Sequence, residues 1–112
     1  FRRVLFRSFK HFGYSNMHMG TVEGDFSIES FLDKLKNLHP AHVHLAPFMI
    51  VAGDHATNDM SGEDDDSWKS ILEKEGYSVK CTLKGLGEIQ AVRDIFIRHT
   101  RAGLDRLSEI QA

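Results

Sequence analysis

The chain is 112 residues long, 41% apolar and 27% charged, with a formal net charge of −2, which is the composition of one ordinary globular domain or part of one. Its longest apolar run is the nine residues Leu45–Gly53, interrupted by Pro47, far short of the roughly 20 residues a membrane-spanning helix needs. A single cysteine, Cys81, excludes an internal disulfide and any paired-cysteine site.

Residues 1–8, "FRRVLFRS", carry no helical or strand period. They resemble the translation of a common sequencing adapter and are expected to be an artefact of assembly, so the fold reading covers residues 9–112. Without Arg2, Arg3 and Arg7, eleven basic residues face 16 acidic ones, a net of −5. A basic face for nucleic acid is not expected from that balance.

"NMHMGTV", residues 16–22, reads as a first strand running into the loop "EGD". Ile28, Phe31, Leu32, Leu35 and Leu38 follow at helical spacing, with Ser27 as N-cap and His39-Pro40 as the stop. "HVHLAPFMIVA", 42–52, reads as a second strand, apolar on both faces in its later half, as a strand inside a parallel sheet should be. The acidic run "GEDDD", 62–66, precedes a short helix marked by Trp68, Ile71 and Leu72, and is expected to cap it, with Gly76 just past its end. "YSVKCTL", 77–83, alternates as a third strand with Cys81 facing inward, and a long helix from about Ile89 to Ile110 closes the chain, His99 packing on its apolar side.

The order β-α-β-α-β-α implies an α/β fold, a parallel sheet with flanking helices in three layers. In such sheets functional groups gather in the loops after the strand carboxyl ends. Those loops are "TVEG", "GDHATND" and "GLGE", and each holds a glycine and an acid. Glu23, His55 and Glu88 are therefore expected to converge. Imidazole and carboxylate together suit a borderline-soft metal ion, with His55 offering nitrogen and Glu23 oxygen. Asp54, Asn58 and Asp59 are placed to brace the imidazole as outer-shell partners. The same imidazole also suits a proton acceptor near neutral pH. "GLGE", with Gly85, Gly87 and Glu88, lacks the spacing of a phosphate-binding loop and is read as a possible cleft loop. His39, His42 and His44 sit at a helix end and at the opposite end of their strand, and are read as structural or exposed.

"MGTVEG" (19–24), "HLAPFMIVAGDHATNDMSG" (44–62), "DSWKSILEKEGY" (66–77) and "LKGLGE" (83–88) together resemble the anaerobic sirohydrochlorin cobaltochelatases, class II chelatases of cobalamin biosynthesis. The likeness runs in order through nearly all of residues 10–112. It implies two similar α/β domains with the site between them, of which this chain is most of the C-terminal one, its first strand missing. It implies Glu23 and His55 as two of three groups at the metal, the third being a histidine outside this chain. It further implies Co(II) as substrate metal, a tetrapyrrole as the other substrate, no nucleotide, a cytoplasmic enzyme (an exported form staying open) and a possible homo-oligomer of the whole enzyme. The chain departs from the family in having Asp25-Phe26 where an aromatic residue and a proline follow "GTVEG". Two other readings stand beside this one: a non-catalytic metal- or tetrapyrrole-binding module, and a chelatase for another divalent metal.

Overall fold

A computed structural model describes residues 2–112, without the side chains of Arg2, Arg3 and Phe6. The chain divides into two compact units, one ending at Pro40 and one spanning Ala41–Ala112.

The first unit holds α1 (Arg2–His11) and α2 (Ile28–Leu38). Residues 2–8 are thus helical, where the sequence showed no helical period. α2 has the expected limits. Ser27 occupies the N-cap in extended backbone, without a side-chain cap bond. His39 ends the helix in the left-handed conformation at φ 48°, its N–H donating to the Leu35 carbonyl at 2.8 Å. Ile28 and Leu35, on the apolar face, are buried. The expected first strand, 16–22, is not formed. A strand exists by pairing its backbone groups, and among the described residues the sheet consists of two strands from the other unit.

Those strands are β1 (His42–Leu45) and β2 (Ser78–Cys81), parallel, with His42 opposite Ser78 and Leu45 opposite Cys81. Parallel neighbours need a crossover, and the crossover contains a π-helical turn, His55–Met60, and α3 (Trp68–Lys74). α3 packs on β2 and on the π-helical turn. Leu72, Ala56, Met60, Val43 and Leu45 form the core of this unit.

Ser67, not the acidic run, caps α3. Its hydroxyl accepts from the Ser70 N–H at 3.1 Å and donates to the Gly62 carbonyl at 2.7 Å. A short side chain reaches the first-turn N–H groups directly. The acids pair instead with lysines of the helix: Glu63 with Lys69 at 2.6 Å and Asp65 with Lys74 at 2.9 Å. Past α3, Gly76 at φ +91° completes a Schellman ending, with Gly76 N–H donating to Glu73 and Tyr77 N–H to Leu72.

β1 is shorter than the expected 42–52. Pro47 has no N–H to offer a ladder, and the chain leaves strand geometry after Leu45. Phe48, Ile50 and Val51 are exposed, where a strand buried on both faces was expected. Among the described residues the sheet has two strands, β1 and β2. The chain continues through a 3-10 turn (Leu86–Glu88) into α4 (Gln90–Gln111). α4 matches the expected helix, but its apolar side is exposed: Ile95, Phe96, Leu104, Leu107 and Ile110 all reach solvent, and so does His99, which does not pack. The architecture is a mixed α/β fold with a small parallel sheet and helices, of which α3 packs on the sheet.

Candidate metal site

The chain turns out of its β1 extension at Gly53, whose carbonyl accepts from the N–H groups of Ala56 (2.9 Å) and Thr57 (3.0 Å). From there six residues, His55–Met60, wind as a π-helical turn. Such wide turns carry i→i+5 bonds and are frequent at functional sites. Ser61 supports the wide turn by donating its hydroxyl to the Ala56 carbonyl, five residues back, at 2.9 Å. Ala56 and Met60 point inward and are buried; His55 and Asn58 face out. The apolar positions anchor the turn, and the polar ones are presented by it.

The imidazole of His55 and the carboxylate of Asp59 meet on the outer side. His55 Nδ1 lies 2.5 Å from Asp59 Oδ2, with the two side chains 62% and 43% exposed. The tautomer of the imidazole sets which group donates in this contact. Asp54 and Asn58 enter the turn's bonding through their backbones. The Asp54 carbonyl accepts from the Thr57 hydroxyl at 3.3 Å, and the Asn58 carbonyl from the Gly62 N–H at 3.0 Å.

Gly62 closes the turn at a place without room for a side chain, because a Cβ there would strike the Asn58 carbonyl oxygen. Its own carbonyl is held by Ser67, which is 1% exposed. The α3 cap thus ties down the far end of the His55 loop.

The "GLGE" loop buttresses the near end. Leu86 N–H donates to the Met49 carbonyl at 2.7 Å and Gly87 N–H to the Ile50 carbonyl at 2.9 Å. Gly85 is buried against the same segment; a Cβ there would strike the Ile50 oxygen and lie 2.8 Å from Val51 Cα. The "GLGE" loop is therefore joined to the segment that leads into the His55 turn. Within this loop the Glu88 Oε1 accepts from the Gly85 N–H at 2.9 Å. The need for glycine in "GLGE" was visible in the sequence as a loop signal, but its partner was not.

Glu23 belongs to the first unit. It is exposed in a turn over residues 21–26, closed by Thr21 N–H donating to the Phe26 carbonyl at 3.0 Å and passing through Gly24 at φ +95°. Among the described residues no three His, Cys, Asp or Glu side chains are grouped to hold a metal ion. Of the other histidines, His44 Nε2 meets the Thr82 hydroxyl at 2.7 Å and His42 is exposed, consistent with structural or surface roles. Burial pushes the Cys81 thiol above its usual range, which suits a packing residue rather than a reactive one.

The described scaffold thus presents a carboxylate-backed imidazole, His55 with Asp59, from the π-helical turn that follows β1 and its extension. Comparison with known proteins makes this specific. Residues 3–105 match the cobalt chelatase (CbiK) family, and the chain belongs to that family. It is 40% identical over 91 residues to the sirohydrochlorin cobaltochelatase of Salmonella typhimurium, covering 81% of this chain and 34% of that protein. It is 35% identical over 94 residues to sirohydrochlorin cobaltochelatase CbiKC of Nitratidesulfovibrio vulgaris, covering 84% of this chain and 33% of that protein. The chain spans about a third of the length of these curated relatives.

Proposed function

We propose that the whole protein inserts Co(II) into sirohydrochlorin, or its oxidised precursor form, in anaerobic cobalamin biosynthesis, and that this chain supplies part of its C-terminal domain, including the His55 turn. The observation that carries the reading is the family membership together with the outward His55–Asp59 pair. The three-layer sheet belongs to the same reading, with the missing strand supplied from outside the chain.

In this reading Co(II) is a substrate. As the metal enters the tetrapyrrole, two pyrrole protons must leave, so the site has to bind a dication and accept protons. His55 does both jobs in turn through Nε2. Glu23 adds a carboxylate oxygen. A second histidine from the rest of the protein completes the set. No nucleotide takes part, and the cytoplasm is the proposed compartment. Imidazole and carboxylate accept several first-row metals, so the preference for cobalt rests on the relatives' names.

The test is a full-length protein in which the Salmonella relative supplies the missing two-thirds. Insertion is followed by tetrapyrrole absorbance for the parent, His55→Ala and Glu23→Gln. Each variant should lose more than the roughly 10–100-fold typical of outer-shell changes. Unchanged insertion in His55→Ala removes the proposed role of the turn. Cobalt binding without insertion in the parent favours a storage or delivery module.

A further inference from the structure

We infer that Asp59 is a positioning residue that holds His55 protonated on Nδ1, so that Nε2 is the atom offered to the metal. The inference rests on the chelatase reading for its purpose, but not for its geometry.

A neutral imidazole has one N–H and one lone pair, and the hydrogen bond made by one nitrogen decides the role of the other. Here Nδ1 is 2.5 Å from Asp59 Oδ2, the short range of a charge-assisted bond. Asp59 is four residues beyond His55 on the π-helical turn, which brings the two side chains to the same side. The buried Ala56 and Met60 hold that turn from within, the Ser61 hydroxyl spans its Ala56 carbonyl, and Gly62 and Ser67 fix its exit. The carboxylate is therefore delivered by a constrained backbone, not by a free loop. Asp54 precedes the turn and Asn58 lies one position short of Asp59, and both take part in the turn through backbone carbonyls. Of the three residues expected to brace the imidazole, Asp59 is the one whose side chain is seen to meet it.

The function of such a partner is twofold. It excludes the tautomer that would present an N–H to an incoming cation, and it raises the basicity of Nε2 toward metal or proton. Aspartate suits the task because its short side chain keeps few rotamers to freeze.

The test reads the tautomer directly. In the chain with ¹⁵N-labelled histidine, two-bond ¹H–¹⁵N spectra at a pH where the imidazole is neutral should show His55 protonated on Nδ1. Asp59→Ala should shift it toward the Nε2–H form, and Asp59→Glu should restore it at least in part. Far-UV circular dichroism checks that the variants stay folded. In the full-length chimera, Co(II) affinity followed by visible absorption should fall about 10–100-fold in Asp59→Ala and recover in Asp59→Glu. An unchanged His55 tautomer in Asp59→Ala overturns the inference. So does an unchanged Co(II) affinity in Asp59→Ala when His55→Ala abolishes binding. If His55→Ala leaves Co(II) binding intact, the chelatase site fails instead, while the tautomer spectra still decide what Asp59 does.

Discussion

Gly85 and His18 show how single residues carry consequences beyond their own positions. Gly85 has an ordinary backbone, with φ −72°. Its requirement is one of space, since a Cβ meets Val51 Cα at 2.8 Å and Ala52 N at 2.9 Å, atoms of backbone that cannot rotate away. Gly85→Ala should destabilise the chain by about 1–3 kcal/mol, the range for overpacking, read as a lower urea midpoint at unchanged slope. His18 packs on Phe31, and its Nε2 is buried without a hydrogen-bond partner among the described residues. Burial, and then the Lys34 charge, lower its pKa below the usual value. The unfolded chain then binds the proton more readily than the folded one, so stability falls as pH drops through about 6.5, the ordinary histidine value. The loss is complete below the depressed folded pKa. His18→Gln should flatten that part of a stability-against-pH curve; an unaltered curve would mean that His18 is not its source.

At the scale of elements, α3 is the member that the second unit depends on most. Leu72 is fully buried between the sheet and the π-helical turn. Leu72→Ala should cost about 2–5 kcal/mol by the usual cavity accounting, measured by denaturant unfolding. Ser67→Ala removes the cap bond and the hold on Gly62 together. It should cost about 1–2 kcal/mol and also loosen the His55 turn, seen as faster amide exchange at residues 55–62. α4 behaves oppositely. Leu107 and Ile110 are 56% and 81% exposed, so Leu107→Gln should change stability by no more than about 0.5 kcal/mol. A larger loss would mean that this face is covered in solution.

For the molecule as a whole, the proposed ligand set is divided. His55 lies in one unit and Glu23 in the other, and the proposal adds a second histidine from the rest of the protein. The 112-residue chain by itself should therefore give no detectable cobalt insertion into sirohydrochlorin, whereas the full-length chimera should. Insertion by the chain alone would contradict the three-group site.

Much of this was readable before any coordinates. Apolar spacing located α2, α3 and α4, Gly76 and His39-Pro40 marked two helix ends, and the alternation at 77–83 marked β2, because these are local properties of neighbouring residues. The glycine-acid-histidine run at 53–55 drew attention to the turn that carries the His55–Asp59 pair, and the quoted motifs led to the family. Tertiary structure decided what depends on a distant partner. Segment 16–22 has strand-like residues but is not paired as a strand among the described residues. Residues 46–52 are apolar but lie beyond the strand end at Leu45, and Phe48, Ile50 and Val51 stay exposed. Cap assignment passed from the acids to Ser67 because a 3.1 Å bond, not nearby charge, satisfies the Ser70 N–H. The choice of Asp59 over Asp54 and Asn58 depends on a π-helical turn, whose wider winding is held by burial of Ala56 and Met60 and by contacts with α3. Local order follows from spacing along the chain, but pairing, exposure and the aim of a side chain are properties of what the chain folds against.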